Sequence, residues 1–398
     1  MTAVPSSARR RSAIAVLALT GFGLLGVACA KTETDSGSAT GAGQVKVTLT
    51  DAGCSASPAK AKSGQVEFLV SNKNSSRVSE TELRTGNLNS ILGERENLTP
   101  GLSGSFKLNL ASGSYKLYCP GAKQDTWDFT VTKGAKVADW HDNPALVKLT
   151  TQYSDYVEAQ VALLQKNTAT FVADVKAGDM AKAQQDYAPA RIHYETIEPV
   201  AESFGDLDPL LDNRADDVVP QKLTGFHRLE YAIWTQKSLK GMAPVADQLM
   251  ANITKLKNLV TKKAGTYVPN EITAGAADLM NEVMTSKITG EEERYSHIDL
   301  VDFKANFDGT MEIVNLAKPI LGQSDPALVT TLTAEANAVT QALNVYAQKP
   351  GFLNTGYAEW GYVKDPNTTI TTVQRRALAN AVKPFVADLG QISVKVTV

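Results

Sequence analysis

The sequence has no excess of basic charge, little histidine and little cysteine. Its 398 residues carry 40 basic and 42 acidic side chains, for a formal net charge of −2. Binding to nucleic acid or to anionic lipid through surface charge requires a basic patch, and this composition has no basic excess to supply one. We therefore expect no nucleic-acid partner, and any charged ligand must be recognised locally.

The few histidines exclude several kinds of site. All four follow residue 139: His141, His193, His227 and His297. A blue-copper centre needs two imidazoles and a thiolate, so the segment before His141 cannot form one. A zincin peptidase needs two histidines four residues apart, and the stretch "GFHRLEYAIW" (225–234) supplies one. The chain also lacks a G-x-S-x-G stretch and a glycine-rich phosphate loop, which excludes the common hydrolase and nucleotide-binding signatures.

The first 29 residues have the pattern of an export signal. Three arginines at 9–11 precede an uncharged apolar run from Ala13 to Ala28, and Cys29 follows. The small residues before Cys29 resemble a bacterial lipobox, which predicts lipidation of that cysteine. An unlipidated secreted protein and an uncleaved membrane anchor are the alternatives. Residues 30–43 are polar and glycine-rich, which predicts a flexible linker.

Residues 44–133 contain short runs of β-branched and aromatic residues with a period of two, such as "QVEFLVSN" and "WDFTVT". This pattern predicts a small antiparallel β-sandwich. Cys54 and Cys119 lie within it, and in an oxidising compartment two cysteines predict a disulfide. A metal site is the alternative, because spare carboxylates accompany the two thiols. They are Glu80, Glu82, Glu94 and Glu96.

After a linker at 134–144, residues 145–398 change to a period of 3.6, which predicts an all-α helical bundle. The first helix carries Leu146, Leu149 and Tyr153 on one face and ends near Gly178. Further helices are predicted over residues 180–204, 221–234, 243–263, 275–287, 291–316, 326–348 and 369–392.

Residues 195–217 are strongly acidic, with eight carboxylates and one basic residue, Arg214. Glu195 and Glu198 are three residues apart, as are His227 and Glu230, so each pair projects from one helix face. Helical bundles that bind iron or manganese use glutamate and histidine at this spacing. His227 alone would be interpreted as a hydrogen-bonded core histidine. Together with the carboxylates it favours a metal site whose members are Glu195, Glu198, Asp212, His227 and Glu230.

A third acidic stretch, "GEEERYSHIDL" (290–300), could add a ligand to this site. Glu293 and His297 lie one helical turn apart, with Glu292 and Asp299 on neighbouring faces. The alternative is a solvated helix start at 291–293, since acidic residues favour that end of a helix.

Four stretches of the sequence together resemble the EfeO family, the extracytoplasmic component of a bacterial elemental iron uptake system. They are "GFHRLE", "RIHYETIEPVAESFGDLDP", "GEEERYSHIDLVDF" and "GERENLTPG", and the resemblance extends over about residues 45–389. It implies a cupredoxin-like domain followed by an imelysin-like domain. The imelysin-like domain carries a His-x-x-Glu signature, here His227 and Glu230.

Applied position by position, the resemblance implies two sets of metal ligands. The iron ligands of the helical domain would be Glu195, Glu198, Asp212, His227, Glu230 and Glu293. The copper or iron ligands of the cupredoxin-like domain would be Cys54, Glu80, Glu96 and Cys119, with Glu82 and Glu94 as alternates.

The resemblance also implies a function. We expect a non-enzymatic, iron-binding lipoprotein in the periplasm or on the outer face of the cytoplasmic membrane, anchored by lipid at Cys29. It would capture ferrous or ferric iron and deliver it to a membrane iron permease, with an exported haem peroxidase as a second partner. Copper in the cupredoxin-like domain would supply an accessory redox role. The alternatives are a metal-dependent peptidase, with His227 as ligand and Glu230 as base, and an alginate- or polyanion-binding protein.

Overall fold

The computed structural model describes residues 43–214, 222–347 and 370–396. The predicted signal peptide, Cys29 and residues 30–42 of the predicted linker lie outside the described residues. Within these ranges, nine strands come first, followed by nine α-helices. None of the helices in this part of the chain combines the length and apolar character needed to cross a membrane.

The strands form two sheets. The first contains, in spatial order, β2 (Gly53–Ser57), β1 (Gly43–Thr50), β4 (Gly64–Asn72) and β7 (Ser103–Leu110). The second contains β3 (Lys60–Lys62), β9 (Thr126–Thr132), β8 (Gly113–Tyr118), β5 (Thr81–Thr85) and β6 (Ile91–Arg95). Two pairs run parallel, β1 with β4 and β3 with β9. The expectation of a purely antiparallel sandwich was therefore wrong, because strands that intervene in sequence separate both pairs.

The core of the sheet domain follows from period-two burial. On β4 the side chains of Val66, Phe68 and Val70 are buried while the alternate positions are more exposed. Phe68 stacks on Phe106 of β7 with a centroid distance of 4.8 Å and also meets Phe129 of β9 at 5.4 Å. The contact of Phe68 with Phe106 thus lies within one sheet, and its contact with Phe129 joins the two sheets.

The helical region begins at residue 144. Its helices are α1 (Pro144–Ala177), α2 (Met180–Ile197), α3 (Asp208–Asp212), α4 (Gly225–Glu230), α5 (Ala243–Lys263), α6 (Pro269–Thr285), α7 (Asp299–Ser324), α8 (Pro326–Asn344) and α9 (Thr372–Lys395). The side chain of Asn143 caps α1 by accepting from the amide of Ala145, and Gly178 ends that helix at a φ of 72°. These are ordinary start and stop signals, and both could be read from the sequence.

Among the predicted helices whose bounds differ from the structure, two affect the acidic cluster. The helix predicted over 180–204 ends at Ile197, where Pro199 follows and the chain continues as a 3-10 segment, Glu198–Leu207. The helix predicted from 291 begins only at Asp299. Residues 291–298 form a looped segment that carries Glu292 and Glu293 into the interior, where they are 2% and 0% exposed. The interpretation of 291–293 as a solvated helix start was therefore wrong.

The sandwich packs directly on the helices. β6 lies against α6, and β7 lies against α9. Arg95 at the end of β6 pairs with Asp278 of α6 at 3.6 Å, and the hydroxyl of Ser393 on α9 donates to the carbonyl of Lys107 on β7 at 3.1 Å. This packing brings the acidic end of β6 close to the acidic 3-10 segment.

Candidate metal centre

Five segments bring charged side chains to one point inside the helical region. Helix α2 provides Arg191 and Glu195, α3 provides Asp212, α4 provides His227 and Glu230, the 291–298 segment provides Glu292 and Glu293, and α7 provides Asp302. All are buried, apart from Asp212, which is partly buried. So many buried carboxylates require protons, cations or hydrogen-bond donors.

Glycines permit this convergence. Gly225 starts α4 with a φ of +56°, and a Cβ there would lie 1.8 Å from the carbonyl oxygen of Leu211. Helix α4 can therefore pack onto α3, which places His227 beside Asp212. Gly309 of α7 has a similar role, because its Cβ would lie 2.0 Å from the carbonyl oxygen of Thr196, next to Glu195. Only a residue without a side chain fits either contact.

Arg191 occupies the centre of the cluster, with none of its side chain exposed. Its guanidinium lies 2.5 Å from Glu195, 2.9 Å from Glu292 and 2.8 Å from Glu293, and it also pairs with Asp212 and Asp302. The sequence analysis missed this residue. The available signal was its position one turn before Glu195, the i,i+4 spacing of a helical ion pair.

A second buried cation, Lys287, neutralises the neighbouring carboxylates. Its ammonium pairs with Glu198, and it lies 3.5 Å from Glu195 and 3.3 Å from Glu292. The side-chain amide of Asn306 donates to Glu198 at 2.7 Å and to Glu195 at 3.1 Å. Glu195 and Glu198 are therefore both engaged by protein donors, and neither Lys287 nor Asn306 was identified from the sequence.

His227 is held from both sides of its ring. Nδ1 lies 3.0 Å from Glu230, while Nε2 lies 3.2 Å from Asp212 and 3.8 Å from Glu292. The second carboxylate oxygen of Glu230 accepts the backbone N–H groups of Tyr295 and Ser296 at 2.8 and 2.7 Å. Glu230 is thus fixed in place, and it fixes the orientation of the imidazole, as second-layer carboxylates do for metal-bound histidines.

The charges in the cluster are strongly coupled. Burial and the charge of Arg191 oppose protonation of His227, but Asp212 and Glu230 outweigh them and raise its pKa to about 10. Burial raises the pKa of Glu292, but Lys287 and Arg214 outweigh it and lower that pKa to about 2. Burial, followed by the charge of Glu230, raises the pKa of Glu293. A cation that enters must therefore displace the proton on Nε2 of His227, whereas Glu292 is already ionised.

Among the described residues, three groups have ligand atoms within 4.8 Å of one another, the spacing that a metal ion requires. They are Asp212 with His227 and Glu292, His227 with Glu230 and Glu293, and Glu80 with Glu82 and Glu94. The first two share His227. Every residue predicted for the bundle site contributes to this region, and Glu292 is an addition that the sequence analysis had placed on a neighbouring face.

In the sandwich, Cys54 and Cys119 form a disulfide across 65 residues. A disulfide sulfur is not a thiolate and does not bind a metal as one. The structure therefore agrees with the predicted disulfide, and Cys54 and Cys119 are not metal ligands in it. The sequence places no histidine in this domain. The remaining donors, Glu80, Glu82 and Glu94, are carboxylates. They suit a hard, oxygen-seeking cation and do not fit a copper cofactor.

A cleft of about 100 Å³ lies between the sandwich and the helices. It is bordered by Glu94 of the sandwich group and by Asp212 and Glu292 of the group around His227. Among the described residues that line it, Arg214 is the one basic side chain. The acidic lining residues are Glu94, Glu96, Glu198, Glu202, Asp208, Asp212, Glu282 and Glu292. Asp212 and Glu292 thus connect the cleft to His227, whereas Glu230 and Glu293 lie behind the imidazole.

Comparisons with known proteins match both halves of the chain. The family model described as imelysin matches residues 149–389, and the model described as a cupredoxin-like domain matches residues 19–126. The chain is 37% identical over 349 residues to the iron uptake system component EfeO of Escherichia coli O1:K1, covering 86% of this chain and 88% of that protein. The proteins of the same name from Escherichia coli K12 and Shigella flexneri are each 36% identical with the same coverage.

Proposed function

The chain belongs to the EfeO family of iron uptake system components, and from this premise we propose that it binds iron outside the cytoplasm and delivers it to a membrane permease. Iron is the cargo in this proposal, and the helical region binds it. The orientation of His227 carries the proposal. Glu230 holds one ring nitrogen, and the other nitrogen faces Asp212 and Glu292 at the edge of an acidic cleft.

We assign the direct contacts with iron to Asp212, Nε2 of His227 and Glu292. Ferric iron prefers oxygen donors and accepts imidazole as a minority ligand, which matches this set of two carboxylates and one histidine. Glu230 is then a positioning residue, because both of its oxygens are engaged within the protein. Glu195, Glu198 and Glu293 remain proposed members of the site that stabilise the charge of the bound ion from farther away.

The remaining parts of the proposal concern location and partners. Export followed by lipid attachment at Cys29 would hold the protein at the outer face of the cytoplasmic membrane, next to the permease. An exported haem peroxidase of the same uptake system is the second proposed partner. We do not extend the proposal to a copper redox role, because the sandwich offers a disulfide and carboxylates in place of copper ligands.

The geometry does not favour the two alternative functions. As the base of a peptidase, Glu230 would need an oxygen available to activate water, but its oxygens accept from His227 and from the amides of Tyr295 and Ser296. Alginate is a polyanion, and the acidic lining of the cleft would repel it.

Equilibrium binding of ferric iron, supplied as its nitrilotriacetate complex, tests the proposal. We expect His227→Ala to lose one equivalent of bound iron. The matched control is His193→Ala, because His193 lies on α2 and bonds to Gln160 and Asn167, apart from the cluster. Undiminished stoichiometry and affinity in a folded His227→Ala variant would refute the assignment, as would equal losses in both variants.

A further inference from the structure

The acidic group of the sandwich is assembled so that like charges face each other. Glu82 on β5 lies directly opposite Glu94 on β6 in the strand register. Like charges in this arrangement destabilise a sheet. Arg84 pairs with Glu82, but the ligand oxygens of Glu80, Glu82 and Glu94 still lie within 4.8 Å of one another. This group therefore contains three closely spaced carboxyl groups, and Arg84 pairs with one of them.

Two oxygens of this group, Oε1 of Glu80 and Oε2 of Glu94, have no hydrogen-bond partner among the described residues. Oε2 of Glu94 is buried and makes no hydrogen bond, and the Glu94 residue is only 6% exposed. Buried carboxylate oxygens are nearly always satisfied by a donor, a proton or a cation. Glu94 also lines the cleft, so an ion in the cleft can reach this oxygen.

The helical region supplies a carboxylate to the same place. Glu202, on the 3-10 segment Glu198–Leu207, lines the cleft together with Glu94 and Glu96, and it lines a smaller adjoining cavity with Glu94 as well. Burial, followed by the charge of Asp208, raises the pKa of Glu202 to about 8, and burial followed by the charge of Glu96 raises the pKa of Glu94. Carboxylates from both halves of the protein thus converge on a cleft in which Arg214 is the one basic side chain among the described lining residues.

We propose that Glu94 and Glu96 of the sandwich and Glu202 of the helical region together bind one hard di- or trivalent cation in this cleft. The donors are all carboxylates, which selects ions such as Mn²⁺ or Fe³⁺ over softer metals. The volume of about 100 Å³ is that of roughly three water molecules, so the ion can keep part of its hydration shell. The cleft site rests on the proposed function for the identity of the cargo and for its passage to His227, but not for the binding of the cation itself.

The position of this site gives it a role that neither domain has alone. Because its ligands come from both halves, a bound ion holds the sandwich against the helices. The cleft is also lined by Asp212 and Glu292, so an ion here occupies a position next to the proposed iron ligands. The cleft site is therefore an entry position for cargo on its way to His227.

Binding of Mn²⁺ to the protein, followed by the electron paramagnetic resonance signal of free Mn²⁺, tests this site. Glu94→Gln and Glu202→Gln are each expected to lower the affinity for one equivalent of Mn²⁺ at least tenfold. If both residues bind the same ion, their effects are coupled, so the fold-loss of affinity in the double variant should differ from the product of the two single losses. The matched control is Glu67→Gln, because Glu67 lies on β4 and pairs with Gln44 and Lys107.

Two further variants separate ligation from net charge and from the helical site. Glu202→Asp keeps the negative charge but moves the carboxylate oxygens back from the cleft. It should therefore also lower the affinity for the Mn²⁺ ion bound there. His227→Ala should keep the cleft equivalent whether or not the proposed function is correct. If Glu202→Gln folds and retains every equivalent within twofold of the wild-type affinity, the shared site is wrong. The absence of any Mn²⁺ equivalent that is sensitive to Glu94 and Glu202 would overturn it equally.

Discussion

The guanidinium of Arg191 lies 2.9 Å from the carboxylate of Glu292, a residue 101 positions further along the chain. This contact links α2 to the segment before α7 and places an internal cation within the proposed iron site. In the absence of metal, Arg191 balances the charge that iron would otherwise balance. The stability of the helical region and its affinity for metal are therefore coupled through this side chain.

Arg191→Met should destabilise the protein by about 3–5 kcal/mol, because it leaves a group of buried carboxylates without their common partner. Added Mn²⁺ should raise the unfolding midpoint of this variant more than that of the wild type. Chemical unfolding with and without Mn²⁺ measures both effects. The control is Arg228→Met, which removes an arginine that contacts Gln236. A variant as stable as the wild type in chelator would contradict the central role of Arg191.

Two glycines of α7 provide a matched pair. Gly309→Ala should cost about 1–3 kcal/mol, because the added methyl meets the carbonyl of Thr196 and overpacks the contact with α2. Gly322→Ala should be neutral or stabilising by up to about 1 kcal/mol, since nothing lies within 4 Å of its Cβ position and alanine favours helix. Urea unfolding of both variants measures the difference. Equal effects would show that the close approach of α7 to Glu195 is wrong.

Loss of the disulfide should lower the stability of the protein without weakening iron binding at His227. Replacing Cys54 and Cys119 with serine should lower the unfolding free energy by about 2–5 kcal/mol, while the iron equivalent that depends on His227 is retained. Unfolding and iron binding of the double variant measure the two outcomes. Loss of a bound metal ion with unchanged stability would instead favour thiolate ligation by these cysteines.

Asp278, at the contact between the sandwich and the helices, should make the stability of the protein depend on pH. Burial raises its pKa to about 7, although Arg95 acts in the opposite direction. The unfolded pKa is about 3.9, so the native state binds the proton more tightly. The stabilisation from this group is complete below about pH 4 and is lost as the pH rises through about 7.

Asp278→Asn should remove this dependence. The unfolding free energy of the variant, relative to the wild type, should increase with pH between about 4 and 7 by up to roughly 1.4 kcal/mol per pH unit. Denaturant unfolding at several pH values measures the difference, which cancels the contributions of other carboxylates that both proteins share. A constant difference across this range would contradict the buried environment of Asp278.

The sequence predicted those parts of the fold and site that depend on local pattern. The i,i+3 spacing of His227 and Glu230 indicated one helix face, and the structure places both on α4. The period-two runs predicted the sheet domain. Period 3.6 was misleading at 291–298, because a loop with spaced acidic residues can mimic the start of a helix.

The contacts that could not be predicted are those between distant segments. Arg191 and Lys287 lie within segments that were predicted to be helical, but nothing in the sequence indicates that both side chains turn inward to the same carboxylates. The meeting of Glu94 with Glu202 depends on how the sandwich packs against α6, which has no local signal. The acidic composition indicated that cations were needed, and the structure shows that two of them are side chains of the protein.

Anomalous diffraction at the iron absorption edge, from crystals of the iron-loaded protein, tests the central claim most directly. The account predicts a peak bonded to Nε2 of His227 and to the carboxylates of Asp212 and Glu292, with Arg191 displaced from Asp212. A fully loaded crystal whose iron peaks all lie away from His227, with the contacts of Arg191 unchanged, would contradict it.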